Sequence, residues 1–137
     1  MKVILDTNVL ISGIFFGGQP RAVLDAWAEG WFELLVSPSI FDEYVRTCDR
    51  LGASYHGLEY HSILATIIGR GRLVPDVTAS GSITDDPDDD KFMLCARDYG
   101  AIVVSGDKHL LKASGWEEVQ VLRPSDFLAH LENPGVP

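Results

Sequence analysis

The chain has 137 residues, of which 46% are hydrophobic, and its formal net charge at pH 7 is −9. This length suits one domain and leaves no room for a second. We therefore expect a single domain over residues 1–132, followed by a flexible tail over 133–137. An acidic chain does not favour nucleic acid by its overall charge, so binding a polyanion would need metal ions or local basic residues.

Cysteine usage and hydropathy predict a cytoplasmic protein that makes no contact with a membrane. The two cysteines, Cys48 and Cys95, lie in helical patterns and offer neither a disulfide framework nor a four-cysteine zinc site. No apolar run approaches the roughly 18 residues that a membrane span requires. The first apolar run ends at Asp6, which is too early for a signal peptide.

Short apolar runs alternate with helical patterns along the chain. In chain order, these patterns predict strand 2–5, a helix from residue 7, helix 20–28, strand 32–36, helix 38–49, helix 57–69, an extended piece 72–75, a loop 76–84, helix 87–98, strand 101–105, helix 108–113, strand 118–122 and helix 125–132. Strands this short and apolar, separated by helices, are typical of a parallel sheet covered on both faces. The predicted fold is an α/β, three-layer α/β/α sandwich with a short, mostly parallel central sheet.

Two acids directly follow predicted strands. Asp6 ends the apolar run 3–5, and Asp107 comes after strand 101–105 and Gly106. Ligands of an open parallel sheet bind outside the carboxyl ends of its strands, so both acids are candidates for one site. Each also has an ordinary interpretation, because Asp6 could cap the next helix and Asp107 could be a turn residue.

A third acid, Glu43, lies on the helix predicted after Ser37, a suitable N-cap. Glu43 is three residues beyond Ile40 and one before Tyr44, so it falls beside the buried face of this helix. A glutamate that served only solubility would lie farther round the helix. Asp42 is a better candidate for that role.

Five aspartates occupy the six positions 85–90, at the start of a predicted helix. One or two acids stabilise the N-terminus of a helix. Asp86 suits the N-cap position because Pro87 follows it, and proline is common at the first helical position. Asp89 would then be the third helical residue. The plain interpretation is therefore a well-capped surface helix. Five acids exceed that need, and together with the strand-end acids they favour a cation site.

In this order along an α/β chain, the acids resemble the motifs of PIN-domain ribonucleases. The segments that carry the resemblance are 5–12, 37–43, 86–92 and 104–111, and the resemblance spans about residues 1–131. The third segment is most similar to a bacterial and archaeal branch, the VapC-like toxins of toxin–antitoxin pairs. The resemblance implies a PIN-like fold, a metal-dependent endoribonuclease, Mg²⁺ or Mn²⁺ as cofactor, an RNA substrate and a cognate antitoxin.

The resemblance also implies a set of site residues. The family's acidic quartet, which would be both catalytic and metal-binding, falls on Asp6, Glu43, Asp89 and Asp107. Among the aspartates, Asp89 is preferred because Phe92 and Ala96 reproduce the apolar pattern that follows the family's helix acid. The auxiliary candidates are the further acids Asp86 and Asp90, and the small polar residues Thr7, Asn8 and Ser105, which could orient carboxylates. The candidates for substrate binding are Lys91, Lys108 and His109.

An all-carboxylate site suits hydrolysis of a phosphodiester by water. Mg²⁺ and Mn²⁺ prefer carboxylate and water oxygens, and a bound divalent ion can both generate the nucleophile and offset transition-state charge. Our hypothesis is that Asp6 ligates a first ion directly, that Asp107 and Glu43 bind it directly or through water, and that Asp89 holds a second ion or positions the nucleophile. The resemblance implies products with a 5′-phosphate and a 3′-hydroxyl.

Other functions stay open at this point. A haloacid-dehalogenase-like phosphatase also has an aspartate after its first strand, but it requires a second aspartate two residues later, where this chain has Asn8. A phosphate-accepting receiver domain needs paired acids at its first strand. A non-catalytic interaction module could use the acids to bind metal structurally or to cap helices.

The apolar segment 15–18, which contains Phe15 and Phe16, predicts a homodimer or inhibitor contact.

Overall fold

The computed structural model describes residues 1–54, 59–77, 83–84 and 86–132. The tail predicted at 133–137, most of the predicted loop 76–84 and the start of the predicted helix 57–69 lie outside these residues. No helix within them is both long enough and apolar enough to span a lipid bilayer.

Strands and helices alternate along the described part of the chain. The strands are β1 (Lys2–Leu5), β2 (Glu33–Val36), β3 (Arg72–Leu73), β4 (Ile102–Val104) and β5 (Val121–Leu122). The α-helices are α1 (Thr7–Phe15), α2 (Gly18–Ala28), α3 (Pro38–Gly52), α4 (His61–Arg70), α5 (Asp90–Tyr99), α6 (Lys108–Lys112) and α7 (Pro124–Glu132). Turns of 3₁₀ helix lie at Pro87–Asp89 and Trp116–Glu118.

The strands form one parallel sheet in the order β3-β2-β1-β4-β5. In the middle of the sheet, Val3 of β1 pairs with Leu34 of β2 on one side and with Ile102 of β4 on the other. The chain therefore proceeds outward from β1 through β2 to β3 on one side, and from β4 to β5 on the other. This reversal of direction opens a crevice at the carboxyl ends of β1 and β4.

The central strands are covered on both faces. Val3, Ile4 and Leu5 of β1 are fully buried, as are Val103 and Val104 of β4. Because successive side chains of a strand point to opposite faces, full burial of consecutive residues requires a layer on each side of the sheet. The predicted α/β/α sandwich with a parallel sheet is confirmed.

The acidic segment begins differently from the prediction. Asp86 accepts a hydrogen bond from the Asp88 N–H at 3.0 Å and so caps a 3₁₀ turn, and the α-helix begins only at Asp90. Asp89 is thus the last residue of the 3₁₀ turn rather than the third residue of an α-helix. Turns of this kind are common where α-helices begin.

Candidate active site

The carboxyl ends of β1 and β4 bring Asp6 and Asp107 together. The Asp6 N–H donates to the Val104 carbonyl at 3.0 Å, which continues the strand pairing by one residue. Ser105 and Asp107 then follow β4 on the other side of the crevice. Asp6 and Asp107 are far apart in the sequence, and the pairing of β1 with β4 places them at the same edge of the sheet.

Ser105 connects the two strand-end acids. This residue is fully buried, and its Oγ donates to Asp6 Oδ2 at 2.7 Å. The same Oγ accepts the Asp107 N–H at 2.9 Å. One hydroxyl therefore fixes the carboxylate of Asp6 and the backbone of Asp107 in a single arrangement.

Asp6 is a buried acid at the N-cap position of α1, and only 4% of it is exposed. Burial raises the pKa of Asp6 from 3.8 to about 6; the hydrogen bonds from Ser105 and from the Asn8 N–H oppose this, and the charges of Asp107 and Glu43 add to it. Capping alone does not account for a carboxylate that is buried this deeply.

Asp107 does cap a helix. Its Oδ1 accepts the His109 N–H at 2.7 Å, at the start of α6. The ordinary interpretation therefore applies to one of its oxygens. The charge of Asp107 still belongs to the cluster, because it raises the pKa of both Asp6 and Asp89.

Helix α3 supplies Glu43 to the same cluster. Ser37 caps this helix by accepting the Ile40 N–H at 3.4 Å, as predicted. The Thr7 hydroxyl donates to Glu43 Oε2, and Lys91 Nζ donates to Glu43 Oε1 at 2.7 Å. Lys91, which the sequence predicts to bind substrate, is thus in direct contact with a site acid.

Asp89 has an oxygen that lacks a partner. Its Oδ2 is buried and accepts no hydrogen bond from the described residues. Burial, followed by the charges of Asp107, Asp6, Asp86 and Glu43, raises the pKa of Asp89 to about 7. A buried carboxylate oxygen without a donor is costly unless a proton or a cation satisfies it.

The other candidate acids of the 85–90 run have local roles. Asp86 caps the 3₁₀ turn, although its charge also raises the pKa of Asp89. Asp90 accepts from the Thr84 N–H and hydroxyl, both at 2.8 Å, and from the Ile83 N–H at 3.2 Å. These bonds tie residues 83–84 to the start of α5 and occupy both oxygens of Asp90.

A cleft of about 280 Å³ opens beside the cluster. The residues that line it are Asn8, Val9, Ser12, Pro20, Gly106, Asp107 and Pro124. Asn8 is exposed at its edge. Lys108, which is exposed, and His109, which is half-buried, lie on α6 directly after Asp107. Of the four site acids, Asp107 lines this cleft, which lies between α1 and the start of α6.

Two residues that support the site were missing from the sequence prediction. The fully buried Tyr44 donates its hydroxyl to the Leu5 carbonyl, next to Asp6. Asp76, just beyond β3, accepts from the Ser39 hydroxyl at 2.7 Å and so fixes the start of α3. Tyr44 resembled an ordinary core residue, whereas Asp76 carried a usable signal, because it too follows a strand.

The carboxylates of the cluster are suitable ligands for a hard divalent cation, although their oxygens do not surround a single point. In the described ranges, no three histidine, cysteine or carboxylate side chains stand close enough to hold one ion. The acids are nevertheless close enough to raise one another's pKa. The buried Oδ2 of Asp89, which accepts no hydrogen bond from the described residues, is an oxygen that such an ion could bind.

Comparisons with known proteins agree with this architecture. A solved chain of VapBC2 from Rickettsia felis, bound to a DNA fragment from their promoter, superposes with a TM-score of 0.57 at 13% identity and covers 90% of this chain and 98% of that one. A chain of FitAB bound to an IR36 DNA fragment gives a TM-score of 0.54 at 21% identity, covering 89% and 94%. At these identities the likeness concerns the fold.

Sequence comparison identifies the family. The uncharacterized protein MJ1680 of Methanocaldococcus jannaschii is 31% identical over 115 residues, which is 81% of this chain and 74% of that protein. The family model described as "PIN domain" matches residues 2–109, a span that contains Asp6, Glu43, Asp89 and Asp107. The chain therefore belongs to the PIN-domain family.

Proposed function

We propose that the protein is a metal-dependent endoribonuclease that hydrolyses RNA phosphodiester bonds and acts as the toxin of a toxin–antitoxin pair. The observation that carries the proposal is the cluster of acids at the carboxyl ends of β1 and β4, in which the buried Oδ2 of Asp89 has no hydrogen-bond partner among the described residues. Membership in the PIN-domain family supports nuclease chemistry and leaves the phosphatase alternative without support.

Asp6, Asp89 and Asp107 are the residues we propose as ligands of Mg²⁺ or Mn²⁺, with Glu43 beside them. When bound, a divalent ion supplies a nucleophile near neutral pH and offsets negative charge in the transition state. The protein's own contribution is orientation. Ser105 holds Asp6, Thr7 holds Glu43, and the cap of α6 holds Asp107. Because Asp6 and Asp89 have raised pKa values, metal binding should release protons from the cluster.

The substrate should enter along the cleft beside Asn8 and Asp107. The protein's net charge of −9 gives no general attraction for a polyanion. Lys108 and His109 follow Asp107 on α6, and we propose that they contact phosphates that flank the scissile bond. Asp90 is the weakest of the auxiliary candidates, because both of its oxygens already accept hydrogen bonds.

The proposed partner is a cognate antitoxin protein. Two solved structures that share the fold are complexes named VapBC2 and FitAB, each bound to DNA. The proposal predicts that a small protein encoded next to this chain copurifies with it and blocks its activity. If no protein encoded next to this chain lowers its activity, the result would argue for a nuclease outside toxin–antitoxin systems.

We also propose a homodimer, which sedimentation of the purified protein would test. The predicted contact at Phe15 and Phe16 needs correction, because Phe15 is buried in the core and only Phe16 is exposed, with 61% of its surface accessible. Trp31 offers a second apolar surface, with 60% exposed. Monomers at all concentrations would contradict the proposal.

The function is tested by cleavage of single-stranded RNA by the wild-type protein, Asp6→Asn and Asp126→Asn. Asp126→Asn is the matched control, because it makes the same change at an exposed position of α7. We expect Mn²⁺-dependent products with 5′-phosphates from the wild type and the control, and none from Asp6→Asn or after chelation. DNA of the same sequence tests the preference for RNA.

Equal cleavage by Asp6→Asn and the wild type would refute the assignment of the site. If varied RNAs stay intact and chelation leaves stability unchanged, the acids serve a non-catalytic interaction module instead.

A further inference from the structure

A lysine side chain is fixed inside the acid cluster. Lys91, on α5, donates from Nζ to Glu43 Oε1 at 2.7 Å and to the Asp88 carbonyl at 2.6 Å. Only 21% of its side chain is exposed, and Nζ lies 5.1 Å from the centroid of the Phe92 ring. A lysine that only serves solubility keeps its ammonium in water, whereas this one is held in place.

The contacts of Lys91 join two elements that carry site acids. Glu43 belongs to α3, and Asp88 belongs to the 3₁₀ turn that ends at Asp89. The Thr7 hydroxyl holds the other oxygen of Glu43. Glu43 is therefore held on both oxygens, and one ammonium group bridges α3 and the turn that ends at Asp89.

The charge of Lys91 also matters to the quartet as a whole. The four acids bring up to four negative charges together, and removing charge of this kind from water without a counter-ion is costly. Lys91 supplies one positive charge in direct contact with Glu43, whose side chain is only 23% exposed. A divalent ion that entered the same cluster would meet this charge at short range.

We propose that Lys91 is a built-in counter-cation that holds the acid cluster together in the metal-free protein, and that divalent ions bind against its charge. The inference rests on the proposed metal-dependent function and revises the expectation that Lys91 contacts substrate. Lys91 is a positioning residue in this account, because it acts through Glu43 and the Asp89 turn. Its charge stabilises the protein before metal binds and weakens the affinity for metal.

The test compares Lys91→Met with the wild type and with Lys112→Met, which removes the same charge from an exposed position of α6. In EDTA, we expect Lys91→Met to lower the melting temperature by roughly 5 °C. Titration calorimetry with Mn²⁺ alone should show affinity that is tighter by about tenfold, since a repulsive charge is gone. Mn²⁺ should then restore more stability to Lys91→Met than it adds to the wild type. Lys112→Met should change neither quantity by a comparable amount.

A double-mutant cycle separates charge from packing. In a Glu43→Gln background, Lys91→Met should lose most of its destabilising effect in EDTA, because the partner charge is absent. A melting temperature that falls equally in both backgrounds would show that Lys91 acts by packing on Phe92, and would overturn the proposal. Unchanged stability of Lys91→Met in EDTA, or unchanged Mn²⁺ affinity, would overturn it as well.

The outcome for Lys91 is distinct from the outcome for the proposed function. If the wild type does not bind Mn²⁺, the proposed metal-dependent nuclease fails, and the metal half of this inference fails with it. The comparisons in EDTA need no metal, and they decide by themselves whether Lys91 supports the acid cluster.

Discussion

Replacing Asp6 by asparagine should make the metal-free protein more stable. The folded protein holds the proton of Asp6 more tightly than the unfolded chain does, because the pKa is raised from 3.8 to about 6. The stabilisation that this proton gives is complete below pH 3.8 and is lost as the pH rises through about 6. A pKa difference of about two units corresponds to about 3 kcal/mol, which the ionised carboxylate costs the folded state at about pH 8.

Asparagine removes this cost and keeps the shape of the side chain. Its amide oxygen can still accept the hydrogen bond from Ser105. The expected gain for Asp6→Asn in EDTA at about pH 8 is up to roughly 10 °C in melting temperature, and near pH 4 the free-energy gain should shrink below about 1 kcal/mol. Mn²⁺ should raise the melting temperature of the wild type more than that of the variant, because the variant has lost a ligand.

The assay is thermal unfolding followed by circular dichroism at both pH values, with and without EDTA. Asp126→Asn, at an exposed position of α7, is the control and should show no comparable gain. A variant that melts at or below the wild type at about pH 8 would refute the reasoning. The same would follow if the difference between the two proteins were independent of pH.

Other substitutions test neighbouring parts of the site. Asp89→Asn should abolish Mn²⁺ binding measured by calorimetry. Asp90→Asn should retain Mn²⁺ binding, because the carboxylate of Asp90 already accepts hydrogen bonds from residues 83–84. An equal loss of Mn²⁺ affinity in both variants would contradict this assignment. Ser105→Ala should lower RNA cleavage by about 10–100-fold, as expected for a residue that orients a ligand. Ser62→Ala, at an exposed position of α4, is the matched control and should not lower it. Unchanged cleavage by Ser105→Ala would argue against its linking role. Tyr44→Phe should lower the free energy of unfolding by about 1–3 kcal/mol in urea denaturation, since a buried carbonyl loses its donor; an unchanged midpoint would show that the bond contributes nothing.

The fold could be read from local patterns to a large extent. Apolar runs such as 3–5 are too short and too uniformly apolar for surface strands, and the cap at Ser37 determines where α3 begins. The strand predicted at 118–122 was too long, because Glu117 and Glu118 adopt positive φ angles of 48° and 66° and end a 3₁₀ turn there. The order of the strands depends on long-range pairing, which periodicity does not encode.

The candidate site could be predicted from the sequence only in part. Asp6 and Asp107 follow strands, so their meeting at one sheet edge could be anticipated. The separate roles of Asp89 and Asp90 could not, because neighbouring aspartates are chemically identical and only the 3₁₀ turn distinguishes where each points. The contact of Lys91 with Glu43, which are 48 residues apart in the chain, likewise depends on tertiary structure alone.

Crystals soaked in Mn²⁺ give the most direct test of the central claim, because anomalous scattering locates the ion independently of activity. We expect an ion at the carboxyl ends of β1 and β4, with oxygens of Asp6 and Asp107 and the Oδ2 of Asp89 within about 2.0–2.6 Å of it or bridged by its waters. An ion bound elsewhere, or a saturated crystal with no ion among these acids, would contradict the proposed metal site.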